Sequence, residues 1–320
     1  MASAEALGGT RALADQATHE IVQQWTRFDR KLAPILAGAL ESAGAQLSPP
    51  SRLARERFPT VASPVPLFML LCAYLLMCAC GRAAISAGAL KANRNSRLVD
   101  VLKVLHNGIN IAASVYMCTG LARSAWMYGY RLSNNAYSDN EPTMHWFCFC
   151  FYFSKLYEFL DTALFVLGGK KELISFLHVY HHASISVFWW MIAHHAPGGD
   201  SYFSATLNSF VHVVMYTYYL LTSVIKSPHM RRKYLWWKGY VTNLQMAQFV
   251  VIFVQAVYVY QVSPYPKYLS GTLAIYMISL FSLFHNYKVR EACRKQKQQK
   301  AVKGHENGAS HSNGVSEKWE

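Results

Sequence analysis

Ionisable and amide side chains are concentrated in four short segments in the second half of the chain. The segments contain Lys155, Glu158 and Asp161; His178, His181 and His182; Asn208, His212, Tyr216 and Tyr219; and Thr242, Gln245 and Gln248. On a helix, which turns 100° per residue, the polar residues of each segment fall within an arc of about 120° or less. We therefore expect four helices that each present one polar face to a shared site.

Three kinds of chemistry suit such a site. A di-iron centre of the kind found in membrane desaturases and hydroxylases needs about eight ligands from several histidine motifs. Here the HxxHH motif occurs once, at His178 to His182, and we predict no metal site. A transporter or proton relay would also place ionisable residues inside a membrane. The third chemistry is acyl transfer by a nucleophilic imidazole, with a second histidine as base and amides or phenols as hydrogen-bond donors.

The composition narrows the class of protein that can carry this site. Of 320 residues, 52% are apolar and 15% are charged, whereas soluble domains average about 25% charged residues. The apolar and aromatic content excludes a disordered chain, and seven cysteines are too few, and odd in number, for a disulfide-stapled secreted domain. A large soluble protein or a multi-pass membrane protein remains.

The distribution of the apolar residues favours the membrane protein. Crossing a bilayer takes about 20 residues of helix, and we predict seven spans, at 61–81, 108–128, 144–168, 173–193, 201–225, 239–262 and 268–287. The net charge of +14 comes mainly from four basic regions that alternate with loops poorer in basic residues. By the positive-inside rule those regions and the C-terminus face the cytosol. This orientation explains the positive net charge without a nucleic-acid partner. It also places the four polar faces together near the cytosolic side of the membrane.

The two ends of the chain differ from this membrane domain of residues 61–287. In residues 1–60, Trp25, Phe28 and Leu32 follow helical spacing, which predicts an amphipathic lumenal segment on the bilayer surface or a helix packed against the bundle. Residues 288–320 begin with basic residues, and from 304 they predict a disordered cytosolic tail. Five histidines near the ends of predicted spans are expected to be interfacial: His106, His145, His194, His195 and His285.

Taken in order, the four polar segments resemble the four boxes of the membrane fatty-acid elongases, which are 3-oxoacyl-CoA synthases of the endoplasmic reticulum. The boxes read Lys155-x-x-Glu158-x-x-Asp161-Thr162, His178-Val-Tyr-His181-His182, Asn208-x-x-x-His212-x-x-Met215-Tyr216-x-Tyr218-Tyr219 and Thr242-x-x-Gln245-x-x-Gln248-Phe249. The resemblance covers about residues 60–290. It implies a bundle of seven helices around a polar chamber and a long acyl tunnel.

Details of the third and fourth boxes are similar to the polyunsaturated branch of the family. These details are Met215 to Tyr219 and Gln248-Phe249, and the run from His194 through Ser223 looks like algal and protist members. Leu173 departs from this pattern, because animal polyunsaturated elongases usually have Gln at that position.

The resemblance implies condensation of a long-chain, here polyunsaturated, acyl-CoA with malonyl-CoA to give 3-oxoacyl-CoA, CoA and CO2. We expect His181 to be the nucleophile that forms an acyl-imidazole, and His212 to be the base or the donor to the malonyl enolate. His182 is a candidate donor, and His178 orients its neighbours. Lys155 either neutralises a substrate anion or simply pairs with Glu158 on its own helix.

The remaining expectations concern ligands and partners. The residues expected to bind substrate are Lys155, Glu158, Asp161, Asn208, Tyr216, Tyr219, Gln245 and Gln248. No cofactor is expected besides the two CoA thioesters. The resemblance implies residence in the endoplasmic reticulum membrane, among membrane lipids and beside the 3-ketoacyl-CoA reductase, dehydratase and enoyl-CoA reductase of the elongation cycle. A homodimer is left open.

Overall fold

The computed structural model describes residues 2–42, 48–90 and 97–313, and within these ranges the chain is helical and has no strand. The helices are α1 (Ala2–Ser42), α2 (Arg52–Arg57), α3 (Pro59–Ala62), α4 (Val65–Ser86), α5 (Arg97–Met127), α6 (Pro142–Tyr157), α7 (Phe159–Leu167), α8 (Phe176–His195), α9 (Ser201–Val224), α10 (Pro228–Tyr234), α11 (Lys238–Val262) and α12 (Lys267–Asn313). A single 3-10 turn at Lys171–Leu173 precedes α8. The predicted all-α fold is confirmed.

Among the described residues, four helices are long and apolar enough to cross a membrane: α4, α5, α11 and α12 up to Arg294. They correspond to the first, second, sixth and seventh predicted spans. The other three predicted spans coincide with α6 and α7 together, α8 and α9. At 20 and 24 residues, α8 and α9 are long enough to cross, but histidines and amides lower their hydropathy. The chain is a helical membrane protein, and the count of seven spans stays a prediction.

The helices that carry the second and third polar segments pack among the others. α9 packs against α5 and α11, while α8 packs against α4, α6 and α12. The core between α6 and α8 is aromatic: Phe149, Phe151, Trp189 and Trp190 are buried, and the rings of Phe151 and Trp189 lie 4.3 Å apart. Burial of these large rings holds the polar faces of α6 and α8 in register.

The third predicted span is interrupted at one residue. We expected a continuous helix over 144–168, whereas α6 ends at Tyr157 and α7 begins at Phe159. Between them, the Asp161 amide donates to the Glu158 carbonyl at 3.0 Å, three residues apart, which tightens the turn as in a 3-10 helix. The break therefore lies at a residue of the first polar box.

Both ends of the chain differ in detail from expectation, which for the N-terminal segment is a kink or restart of the helix at Pro34. α1 continues through Pro34, exposes apolar residues such as Phe28 and Ile35, and accepts a 2.5 Å hydrogen bond at Asp29 from Ser63. We expected disorder from residue 304, but α12 continues to Asn313. The stretch before residue 304 is rich in good helix formers, and the helix extends from it into residues of lower helix propensity. Residue 1 and residues 43–47 and 314–320 of the two predicted end segments lie outside the described residues.

Three of the histidines expected at the membrane interface are instead buried. His106, His145 and His194 are 5%, 1% and 6% exposed. The cause for His106 is that α5 begins at Arg97, well before the predicted span, so this histidine lies inside the helix. His194 lies 3.0 Å from the Val61 carbonyl and 3.1 Å from that of Ser48, which ties the segment before α2 to the end of α8.

Gly120 allows α5 to approach α6 closely, since a Cβ at this position would lie 2.1 Å from the Phe147 ring. We predict that Gly120→Ala destabilises the protein by about 1–3 kcal/mol, as overpacking does, and lowers the thermal unfolding midpoint in detergent. Gly108 on the same helix has open space around it, so Gly108→Ala is the matched control. It should leave the midpoint unchanged or raise it, because Ala has the higher helix propensity. Equal midpoints for the two variants would contradict this packing.

Candidate active site

The centre of the polar site is a buried ion pair between Lys155 and Glu158. Lys155 Nζ donates to Glu158 Oε1 at 2.6 Å and to Asn208 Oδ1 at 3.1 Å. Glu158 Oε1 lies 3.3 Å from His212 Nδ1, and Oε2 lies 3.9 Å from His182 Nδ1. One carboxylate thus connects side chains from α6, α8 and α9.

Burial gives this cluster its electrostatic character. The side chains of Lys155 and Glu158 are each only 2% exposed. Two such charges are stable away from water only when their geometry is good and their remaining hydrogen-bonding groups are satisfied. The Asn208 carbonyl at Nζ and His212 at Oε1 contribute to that condition, whereas His182 Nδ1, 3.9 Å from Oε2, is too distant for a hydrogen bond. The Phe151 ring, 4.5 Å from Nζ, adds a cation–π contact.

A second network surrounds Asp161, one turn further along. Its Oδ1 lies 2.9 Å from His106 Nε2, and its Oδ2 accepts from the Tyr216 hydroxyl at 2.9 Å. Asn110 donates to the His106 backbone carbonyl at 2.9 Å. We did not predict His106 or Asn110 as part of the site. The signal in the sequence was their spacing of four residues, which puts both on one face of α5.

His178 contacts neither carboxylate directly. Its Nε2 lies 2.8 Å from Thr162 Oγ1, which in turn donates to the Tyr74 hydroxyl at 3.3 Å. The His178 and His182 rings lie 4.4 Å apart. His178 is therefore fixed between α7 and α4 and packs against His182.

His181 faces the opposite neighbour, α12. Its Nδ1 lies 3.4 Å from the Tyr276 hydroxyl, and its ring meets the edge of Phe284 at 6.5 Å. The side chain is half-buried, and within the described part of the chain its Nε2 has no hydrogen-bond partner. This nitrogen is free to meet a ligand.

The other predicted substrate-binding residues lie around this centre. Gln245 Nε2 lies 3.2 Å from the sulfur of Met215. Gln248 is 4% exposed, and its Oε1 has no hydrogen-bond partner among the described residues. Tyr219 is 41% exposed, with its ring 5.9 Å from that of Tyr216. The structure thus brings the first three boxes into direct contact and leaves Tyr219, Gln245 and Gln248 outside the hydrogen-bonded cluster.

Basic side chains cluster at the nearby ends of α5, α7 and α9. Asp100 accepts from Lys226 at 2.9 Å and from Lys103 at 3.4 Å. Burial, together with the charges of Lys103, Lys226 and Arg231, lowers the pKa of Lys170 in the connection after α7. The cluster therefore carries an excess of positive charge, which favours an anionic ligand.

Within the described residues, no group of three or more His, Cys, Asp or Glu side chains is arranged to hold a metal ion. A small cavity lies between α8, α11 and α12, lined mainly by apolar residues such as Phe188, Ile192 and Leu273. Ile192 is eleven residues along α8 from His181, about 16 Å at 1.5 Å per residue.

The fold and the site define a helical membrane protein with a histidine-rich polar cluster buried among its helices. Residues 59–300 match the family described as ELO: GNS1/SUR4, and the chain belongs to this family. It is thus a protein of very-long-chain fatty-acid elongation, and the predicted family is confirmed.

Curated relatives agree with this placement. The chain is 38% identical over 252 residues to very long chain fatty acid elongase 2 of Mus musculus, covering 75% of this chain and 82% of the mouse protein. It is 35% identical over 269 residues to elongase 4 of Homo sapiens, covering 82% and 81%. It is 37% identical over 229 residues to elongase 5 of Tachysurus fulvidraco, covering 66% and 75%.

We predict that Glu158→Ala destabilises the protein by about 3–5 kcal/mol, because it leaves the Lys155 ammonium buried without a carboxylate. The double variant Lys155→Met, Glu158→Met removes both charges and should recover most of the thermal unfolding midpoint. Glu56→Ala is the control, since it breaks the exposed Arg52–Glu56 pair at 2.8 Å and should leave the midpoint unchanged. A double variant that unfolds as early as the single one would show that the buried charge is not the cause.

Proposed function

We propose that this protein is an acyltransferase that condenses a long-chain acyl-CoA with malonyl-CoA, through an acyl-imidazole on His181. The observation that carries the proposal is the pairing of two histidines in different settings. His181 has a free Nε2, whereas His212 is held by a buried carboxylate. A nucleophile needs the first setting, and a general acid or base benefits from the second.

In the first step, Nε2 of neutral His181 attacks the thioester carbonyl of acyl-CoA. The carbon–sulfur bond breaks, and the imidazole proton passes to the departing thiolate, so that free CoA leaves and an acyl-imidazole remains. An acyl-imidazole is reactive enough for attack by carbon. Soluble condensing enzymes use a cysteine here, but none of the described contacts of this cluster involves a cysteine.

In the second step, malonyl-CoA loses CO2 by cleavage of a carbon–carbon bond, and the resulting enolate attacks the acyl carbon. The carbon–nitrogen bond to His181 breaks and releases 3-oxoacyl-CoA, and the departing imidazolate takes up one proton, by way of His212 or from the cytosol, which returns His181 to its neutral form. His212 acts as base or as donor to the enolate oxygen. With Nδ1 3.3 Å from Glu158, its Nε2 is left for the substrate, as in other carboxylate–histidine pairs.

Three side chains can stabilise the oxyanion and the enolate. Asn208 accepts from Lys155 through Oδ1, which turns its amide so that the NH2 group is available as a donor. His182 and Gln245 are the other two candidates. A preorganised donor of this kind contributes about 3 kcal/mol to transition-state stabilisation. In this assignment Lys155 orients Asn208 and Glu158, and Asp161 holds Tyr216 in place.

CoA and the acyl chain would then lie on opposite sides of the histidines. The basic cluster of Lys103, Lys170, Lys226 and Arg231 suits the phosphates of CoA. The unpartnered Oε1 of Gln248 can accept from an amide N–H of the pantetheine arm. The acyl chain would extend among the apolar residues beyond Phe188, where the cavity of this structure is too small to hold it.

We further propose the cellular setting that the family resemblance implies. The protein would reside in the endoplasmic reticulum membrane with its C-terminus in the cytosol, needing no cofactor beyond its CoA thioesters. Membrane lipids would surround it. Its product, a 3-oxoacyl-CoA, calls for the 3-ketoacyl-CoA reductase, dehydratase and enoyl-CoA reductase as partners.

The acyl-imidazole predicts a hydroxylamine-sensitive adduct on the purified protein after incubation with radiolabelled acyl-CoA alone. His181→Ala should take up no label. His212→Ala should take up label but form no 3-oxoacyl-CoA when malonyl-CoA is added. His229→Ala, at an exposed histidine on α10, is the matched control and should behave like the wild type. Label on the His181→Ala variant would exclude this residue as the nucleophile.

The polyunsaturated preference rests on the third and fourth boxes and is tested in cells. Cells that express the protein are fed a panel of long-chain fatty acids, and the products are measured by gas chromatography. We expect a larger fraction of the polyunsaturated acids than of the saturated acids to become two carbons longer. Cells expressing His181→Ala are the control. Preferential elongation of saturated acids would contradict the branch assignment and leave the reaction itself intact.

A further inference from the structure

Tyr276 of α12 contacts the proposed nucleophile from outside the four polar boxes. Its side chain is 7% exposed, and its hydroxyl lies 3.4 Å from Nδ1 of His181. The same hydroxyl lies 3.1 Å from Oγ of Ser184, which is one helical turn further along α8. The three side chains form a short buried row between α8 and α12.

Each hydroxyl in this row has one hydrogen to donate, and this determines which group donates and which accepts. The Ser184 hydroxyl has one hydrogen, and its shortest contact is the Tyr180 carbonyl at 2.5 Å, four residues earlier on the helix. Serine hydroxyls in helices commonly donate to that carbonyl. With its hydrogen used there, Ser184 Oγ accepts from the Tyr276 hydroxyl, for which it is a nearer acceptor, at 3.1 Å, than the His181 backbone carbonyl at 3.5 Å.

The Tyr276 oxygen is then left to accept from His181. A neutral imidazole carries one N–H and one lone pair, so a hydrogen on Nδ1 leaves the lone pair on Nε2. Were Tyr276 to donate to Nδ1 instead, Nε2 would carry the hydrogen and could not attack. The tautomer of His181 therefore depends on Ser184, although the His181 ring contacts Tyr276 and not Ser184.

We propose that Tyr276 is a positioning residue that, with its hydrogen donated to Ser184, holds His181 in the Nδ1–H tautomer and so makes Nε2 the nucleophilic atom. This inference rests on the proposed role of His181 as the acyl acceptor. It adds a residue of α12 to a site otherwise built from α4 through α9 and α11.

The test uses the full-length protein and two variants that act on opposite ends of the row. Tyr276→Phe removes the acceptor of the Nδ1 hydrogen. Ser184→Ala keeps the Tyr276 hydroxyl but frees it to donate to Nδ1, which favours the wrong tautomer. Tyr180→Phe is the matched control, because it removes a hydroxyl that also joins α8 to α12, through Ser279 at 2.9 Å, without touching the His181 ring.

Two readouts are measured for each variant. One is the rate of acyl-adduct formation at saturating acyl-CoA, together with the KM for acyl-CoA. We expect Tyr276→Phe and Ser184→Ala each to slow adduct formation about ten-fold, the factor that one neutral hydrogen bond is worth, with KM unchanged. The double variant should be no slower than Tyr276→Phe alone, because both act through one bond. Tyr180→Phe should match the wild type.

The second readout is the tautomer itself, from nitrogen-15 spectra of histidine-labelled protein in which the His181 signal is assigned by its loss in His181→Gln. We expect an Nδ1–H signal in the wild type and in Tyr180→Phe, and a shift towards Nε2–H in the two test variants. An Nε2–H signal in the wild type, or wild-type adduct rates in Ser184→Ala, would overturn the inference. A third outcome separates the two proposals. If the wild type forms no adduct, but its His181 is the Nδ1–H tautomer and both variants shift it, the acyl-imidazole is wrong and the role of Tyr276 in setting the tautomer stands.

Discussion

The architecture of the site depends on one ion pair buried among the helices. Lys155 and Glu158 are each 2% exposed and 2.6 Å apart, and neither would be stable there alone. Stabilising them requires an amide of α9 beside Lys155 and a histidine of α9 beside Glu158, with His182 of α8 packed 3.9 Å from the carboxylate. The need to solvate two buried charges therefore dictates how three helices meet.

The one-residue break at Glu158 lies between two carboxylates that face different neighbours. Glu158 is directed to α8 and α9, whereas Asp161, in the first turn of α7, reaches α5 through His106. One short segment thus supplies carboxylates to two separate networks, and Tyr216 links them, because its ring lies 5.5 Å from that of His212.

Local patterns in the sequence predicted much of this fold and site. Helical spacing and charge alternation predicted the helices and the polar faces, because both depend on residues close in sequence. The same patterns could not predict His106, which appeared to precede its span, or the contact of Tyr276 with His181, which joins residues 95 positions apart. They also missed the break at Glu158, since a change in turn tightness leaves hydropathy unaltered. Long-range packing decides all three features.

The helices that do the proposed chemistry are those least suited to lipid. α4, α5, α11 and α12 are apolar enough to cross a membrane, whereas α8 and α9 carry the histidines and amides and pack among them. A polar helix is tolerated in a membrane only when other helices cover its polar face. The same cover limits the access of water to the site, and water would hydrolyse an acyl-imidazole in competition with the carbon nucleophile. Burial of the polar faces therefore serves the insertion of the protein and the lifetime of its proposed intermediate at once.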